Sequence, residues 1–163
     1  MNISKKWGSH LPVLIKTMSL TNGDVLEMGM GFYSTPYLHW VCDMQKRKLV
    51  SYESIEKYFR LFRQYKSESH EITFIKDWDS AAIEKPWDVV LIDHDPAIRR
   101  IIDIKRLANL AKYIVVHDTQ PEEDWSYKYS EIYPLFKYRY NYTKVISHTS
   151  VLSNFIDVSN LEI

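Results

Sequence analysis

Cysteine is nearly absent from this chain: Cys42 is the only one in 163 residues. A single thiol excludes an intramolecular disulfide framework and a cysteine-rich metal site, and it fits a reducing compartment. Net charge is absent as well, with 21 basic residues against 21 acidic ones. No overall field therefore draws the protein to nucleic acid or to an anionic membrane. Long apolar runs are missing: nothing approaches the ~20 residues that a bilayer span needs, and no secretory apolar core follows Met1-Asn2-Ile3-Ser4-Lys5-Lys6-Trp7. The expectation is a soluble, cytoplasmic protein with no membrane or nucleic-acid partner. Glycine is scarce too, at four residues, so where glycines stand carries information.

What is present is an ordinary globular composition, 45% hydrophobic and 26% charged, with no repeat or low-complexity linker. One domain over 1–163 follows. Apolar periodicity predicts a helix over Leu11–Leu20, a buried strand at Val25–Met28, a helix from Ser34 to about Met44, and a strand at Leu49–Glu53. Ile55, Tyr58, Phe59 and Phe62 then keep helical spacing. Further strands are read at Ile72–Lys76, Asp88–Ile92 and Tyr113–Val116, with one long helix from Ile98 to Leu110 between the last two. Strand and helix alternate, which implies a doubly wound, mainly parallel α/β sheet that binds ligands beyond the carboxyl ends of its strands. A helix near Ser130–Lys137 and two strand-like runs, Arg139–Ile146 and Thr149–Phe155, predict a closing antiparallel hairpin and seven strands in all. The basic runs Lys46-Arg47-Lys48 and Arg99, Arg100, Lys105, Arg106 read as solvated faces.

Two of the four glycines, Gly29 and Gly31, directly follow the first strand. A strand-to-helix turn passing close beneath a ligand needs backbone without side chains. Glu53 ends the second strand, where a carboxylate can accept both hydroxyls of a ribose. Ser34 stands where a dinucleotide fingerprint would place its third glycine, so a cofactor without a pyrophosphate is expected. Asp93 and Asp118 close the fourth and fifth strands, which are neighbours in such a sheet. With Thr119 beside them, they could hold a hard divalent cation such as Mg²⁺ through oxygen ligands.

The run Val25-Leu26-Glu27-Met28-Gly29-Met30-Gly31 resembles motif I of the class I S-adenosylmethionine-dependent methyltransferases, with Glu53 at their acidic ribose position. The likeness extends over roughly Val25–Asp118. From Asp93 through Arg99 and Asp103 to His117-Asp118-Thr119 the chain looks like the branch that contains the catechol and macrocin O-methyltransferases. The resemblance implies a Rossmann-like fold and cofactor contacts from Glu27, Gly29, Gly31, Glu53, Asp77, Trp78, Asp93 and His94, with Trp78 or His94 near the adenine. It implies metal ligation by Asp93, Asp118 and Thr119. The catechol enzyme's general-base lysine falls at Pro96, so the base is sought in His117, with Asp95 and His94 as alternatives.

The expected activity is methyl transfer to a small-molecule hydroxyl. A noncatalytic S-adenosylmethionine-binding protein and a metal-dependent phosphoesterase are the competing readings. Trp7-Gly8-Ser9-His10 and the aromatic stretch Pro121, Trp125, Tyr127, Tyr129 are candidate lids. Tyr138, Tyr140 and Tyr142 form a face suited to stacking or to a homo-oligomer contact. His39, His70 and His148 are read as structural or surface residues, and Cys42 as a small buried one.

Overall fold

The computed structural model describes residues 4–163. The expectations that involve Met1, Asn2 and Ile3 lie outside the described residues. Seven strands form one sheet: β1 (Val25–Met28), β2 (Leu49–Glu53), β3 (His70–Phe74), β4 (Trp87–Ile92), β5 (Ala111–His117), β6 (Tyr138–Tyr142) and β7 (Thr149–Ser153). Their order is β3-β2-β1-β4-β5-β7-β6. The first five run parallel, and β7 is antiparallel to both β5 and β6. This is the predicted doubly wound α/β sheet with its closing antiparallel pair. The helices are α1 (Leu11–Ser19), α2 (Ser34–Gln45), α3 (Glu56–Phe62), α4 (Arg99–Leu107) and the short α5 (Asp124–Tyr127). None of the helices is long and apolar enough to cross a membrane.

The strands read as continuous apolar runs because both faces of the sheet are covered. Side chains alternate between two cores. Leu26, Met28, Val90, Ile92, Ile114 and Val116 point to one face, where Ile104 and Leu107 of α4 pack with Trp78 and Trp87. Val25, Val89, Leu91 and Val115 point to the other, against Val13, Leu14 and Met18 of α1 and Leu38 and Cys42 of α2. A one-residue slip of β1 or β4 would exchange the two faces and break both contacts.

Several expectations need correction. The helix expected near Ser130–Lys137 is instead two 3-10 turns, Tyr129–Glu131 and Tyr133–Leu135. Pro134, lacking an N–H, fits a tight first turn and cannot donate in a longer helix. The hairpin connection is six residues long (143–148) because β6 stops at Tyr142. Neither basic run is a simply solvated face. Arg47 is buried and donates to the carbonyls of Met18, Thr21 and Gly23, tying the end of α2 to the turn before β1. Arg99 and Arg106 both clamp Asp103, and Arg100 is buried. Tyr138 and Tyr140 are half-buried, packing against the core that holds Tyr142, Val151, Val158 and Leu161.

Candidate functional site

A cavity of about 340 Å³ opens at the carboxyl ends of β1, β2, β4 and β5, where a doubly wound sheet places its ligands. The turn after β1 forms one wall through Gly29, Met30, Gly31 and Phe32. Gly29 adopts φ +89°, a left-handed conformation that disfavours side chains. A Cβ there would lie 2.6 Å from the backbone of Asp93, so the turn presses directly on the end of β4. Gly31 is less constrained, since a Cβ would meet only the Ser34 hydroxyl at 3.2 Å.

Glu53 faces the cavity from β2 and holds this turn in place. Its Oε2 accepts from the Met30 N–H at 2.8 Å, and Oε1 accepts from the N–H groups of Ser54 and Ile55 at 2.8 and 2.7 Å. Oε1 is saturated and Oε2 keeps one lone pair for a ligand hydroxyl. Burial raises the carboxyl's pKa, and those three backbone donors oppose the rise.

Glu27 lies beneath the turn and does not reach the cavity. It is fully buried, accepting from Thr35 at 2.9 Å and Ser51 at 2.6 Å. Thr35 in turn accepts from the Gly31 N–H at 2.9 Å, so Glu27 orients the loop from below. Asp77 and Trp78 also differ from expectation. Asp77 caps a 3-10 turn, Trp78–Ser80, and neither residue lines the cavity. Trp78 is buried, donates to the Asp95 carbonyl at 2.8 Å and packs on His94 with ring centroids 4.1 Å apart. A flat base cannot stack on a ring already covered in this way.

His94 does line the cavity. Its Nε2 lies 3.1 Å from Asp103, a carboxylate that can only accept, so the proton sits on Nε2 and Nδ1 carries the lone pair. That Nδ1 is buried without a partner. Asp95 stands exposed at the rim, with no hydrogen-bonded partner for its carboxylate among the described residues.

At the floor, the ends of β4 and β5 bring Asp93, His117 and Asp118 together as the sheet order predicted. Arg100, which sequence reasoning missed, lies among them. Its guanidinium reaches Asp93 at 3.1 Å and Asp118 at 3.5 Å, and donates to the carbonyls of His94 and His117. The signal was present: Arg100, Ile104 and Leu107 share one helical stripe. Thr119 does not join this group. Its hydroxyl pairs with that of Ser150 at 2.9 Å, and its side chain lines a separate cavity of about 380 Å³.

His117 is bonded at both ring nitrogens. Nδ1 is 3.0 Å from Asp93, and Nε2 is 2.8 Å from the Ser9 hydroxyl. Burial opposes charge on this imidazole, but the Asp93 and Asp118 carboxylates prevail and raise its pKa. Asp93 is shifted the other way: burial is outweighed by His117 and Arg100, which hold its pKa well below the usual carboxylate range. His10, the last residue of the candidate lid Trp7-Gly8-Ser9-His10, packs edge-on against His117 at 4.8 Å, and burial pulls its pKa down to about 4. Lys6 and Trp7 line the cavity in front of it, with Trp7 stacked on Phe32. Tyr127 of the aromatic stretch reaches in as well and donates to Asp118 at 3.1 Å.

No protein-family model matches the sequence, and no curated protein matches it. Solved structures do. Cofactor-bound Rv0187 from MTB is 17% identical, with 96% of this chain and 83% of that one aligned at a TM-score of 0.69. Human methyltransferase-like protein 13 in complex with SAH is 13% identical over 95% and 85% of the two chains, at 0.67. The O-methyltransferase from Bacillus cereus in complex with SAH is 16% identical over 93% and 83%, at 0.64. At such identities the likeness establishes the fold, which is the methyltransferase fold that the glycine motif implied.

Proposed function

We propose that this chain is an S-adenosylmethionine-dependent methyltransferase, with the cofactor in the 340 Å³ cavity and a small-molecule hydroxyl as acceptor. The observation that carries the reading is Glu53, a buried carboxylate at the end of β2 that shapes the glycine turn and keeps one acceptor site for a ribose hydroxyl. SAH is bound by the structural neighbours from human and Bacillus cereus.

The cofactor supplies an electrophilic methyl on a sulfonium. What this chain would have to supply is a base that takes the acceptor hydroxyl's proton. The cavity is near the small end of the ~300–1,000 Å³ range for ligand pockets, so the cofactor fills it and the acceptor sits at the mouth. There Asp95 is the candidate base, having a free, exposed carboxylate. His117 fits that role poorly, because both its nitrogens are engaged.

The oxygen-ligand set Asp93, Asp118 and Thr119 does not fit a divalent cation as placed. Asp118 is taken up by the Tyr127 hydroxyl and faces the Arg100 guanidinium, and Thr119 faces another cavity. No step is routed through such an ion. A noncatalytic S-adenosylmethionine-binding protein is the second reading, favoured by the engagement of His117 on both sides.

Calorimetric titration with S-adenosylmethionine and SAH tests the proposal. Selective binding is expected, and Glu53→Gln should weaken it by about 1–3 kcal/mol. Failure of both ligands to bind the wild-type chain would reject the cofactor assignment. Binding without turnover across hydroxyl and amine acceptors would favour the noncatalytic reading.

A further inference from the structure

We infer that His10, Asp93 and His117 form a site for a divalent transition-metal ion at the floor of the cavity. This is independent of methyl transfer. Among the described residues these three side chains each offer one ligand atom, all within 4.8 Å of one another. Side-chain rotation can close that spacing to the ~3 Å edges set by ligands ~2.0–2.1 Å from one ion. The pair His117 Nδ1 and Asp93 Oδ1 already stands at such an edge, 3.0 Å.

Two features point to a ligand here. The first is His10. Its ring is 1% exposed, and neither nitrogen has a hydrogen-bond partner. A buried imidazole with two unsatisfied nitrogens is costly unless something occupies one of them. Its backbone is fixed where the chain enters α1, with its carbonyl accepting from the Leu14 N–H at 2.9 Å.

The second feature is the proton count around His117. The Lys6 carbonyl can only accept, so it takes the single hydrogen of the Ser9 hydroxyl at 2.9 Å. His117 Nε2 must then donate to Ser9, and Nδ1 is left facing a carboxylate that also only accepts. The gap between them requires a positive species, either a second proton or a metal ion. Metal-bound histidines characteristically donate their other N–H to a fixed acceptor, which Ser9 supplies here.

Charge permits the ion. Asp93 and Asp118 balance the Arg100 guanidinium and the His117 imidazolium, so loss of the second His117 proton leaves one net negative charge to receive the ion. Two imidazoles and one carboxylate favour Zn²⁺, Co²⁺, Ni²⁺ or Fe²⁺ over Mg²⁺ or Ca²⁺, which prefer all-oxygen shells. On binding, the Nδ1 proton of His117 is released to solvent and its lone pair goes to the metal.

The test uses the unmodified chain first. Zn²⁺ is titrated while the ring nitrogens of the histidines are followed by ¹⁵N NMR, and Co²⁺ is titrated with visible spectroscopy. Shifts confined to His10 and His117, with ligand-field bands in the Co²⁺ form, are expected. Shifts at His39, His70 or His148 instead, or no saturable binding, would overturn the site. Mg²⁺ binding as tight as Zn²⁺ would overturn the ligand chemistry. His10→Gln should weaken Co²⁺ affinity at least tenfold while its thermal melting stays cooperative. An unchanged affinity removes His10 from the ligand set.

Discussion

Gly29 holds two neighbouring strands in register by what it lacks. Its φ of +89° and the 2.6 Å that separates a notional Cβ from the Asp93 backbone act together. Gly29→Ala should destabilise the fold by roughly 3–5 kcal/mol, combining the cost of left-handed backbone with that of overpacking. Denaturant unfolding measures it, and a loss below about 1 kcal/mol would mean that the turn relaxes freely. Gly31→Ala should cost far less, because the nearest obstacle is a serine hydroxyl.

Glu27 makes a second prediction at this scale. Burial raises its pKa to about 7 from the ordinary 4.5, partly opposed by its hydroxyl donors. The native state therefore keeps a proton that the unfolded chain releases. That contribution to stability is full below about pH 4.5 and is lost as pH rises through 7. Glu27→Gln removes the titration. From pH 5 to pH 8 the wild type should lose on the order of 2–3 kcal/mol relative to this variant. Parallel pH profiles for the two proteins would show that Glu27 titrates normally.

Among the elements, α4 joins the sheet to its site. Arg100 donates to the carbonyls of His94, just beyond β4, and His117, at the end of β5, and faces the carboxylates of Asp93 and Asp118, so the two strand ends are clamped from one helix position. Arg100→Met should cost about 3–5 kcal/mol, because it strands two charges in a buried setting. Asp93→Asn in the same background should recover part of that loss, and a double-mutant cycle reads the coupling. Strict additivity would show that Arg100 does not act through Asp93.

How far each element was legible in the sequence follows from how locally it is determined. β1 and β2 match their predicted limits because continuous apolar runs end at glycine and at Glu53. β3 begins two residues early, at His70, since it lies at the sheet edge and its pattern is only half buried. The segment 129–135 shows no helix because its aromatic residues are spaced for a core but Pro134 interrupts the ladder. Gly29, Gly31, Glu53, Asp93, His94, Asp95, His117 and Asp118 do meet at one cavity. The misplaced residues, Glu27, Asp77, Trp78 and Thr119, sit beside the right positions with side chains turned elsewhere. Orientation of that kind is set by tertiary partners such as Thr35, Asp95 and Ser150. His10 was legible only as the end of a candidate lid, since its partner His117 lies far from it along the chain.

In the whole molecule, the order of strands in space departs from their order along the chain. β7 lies between β5 and β6 although it follows both. Until residues 149–153 are in place, Ile114, Val115 and Val116 present an unpaired apolar edge, and β6 has no partner at all. β7 is thus the keystone of that half of the sheet, and the open edge before its insertion is the kind that recruits strands from other molecules. During synthesis, the interval before β7 arrives is when this chain most needs protection from its own copies.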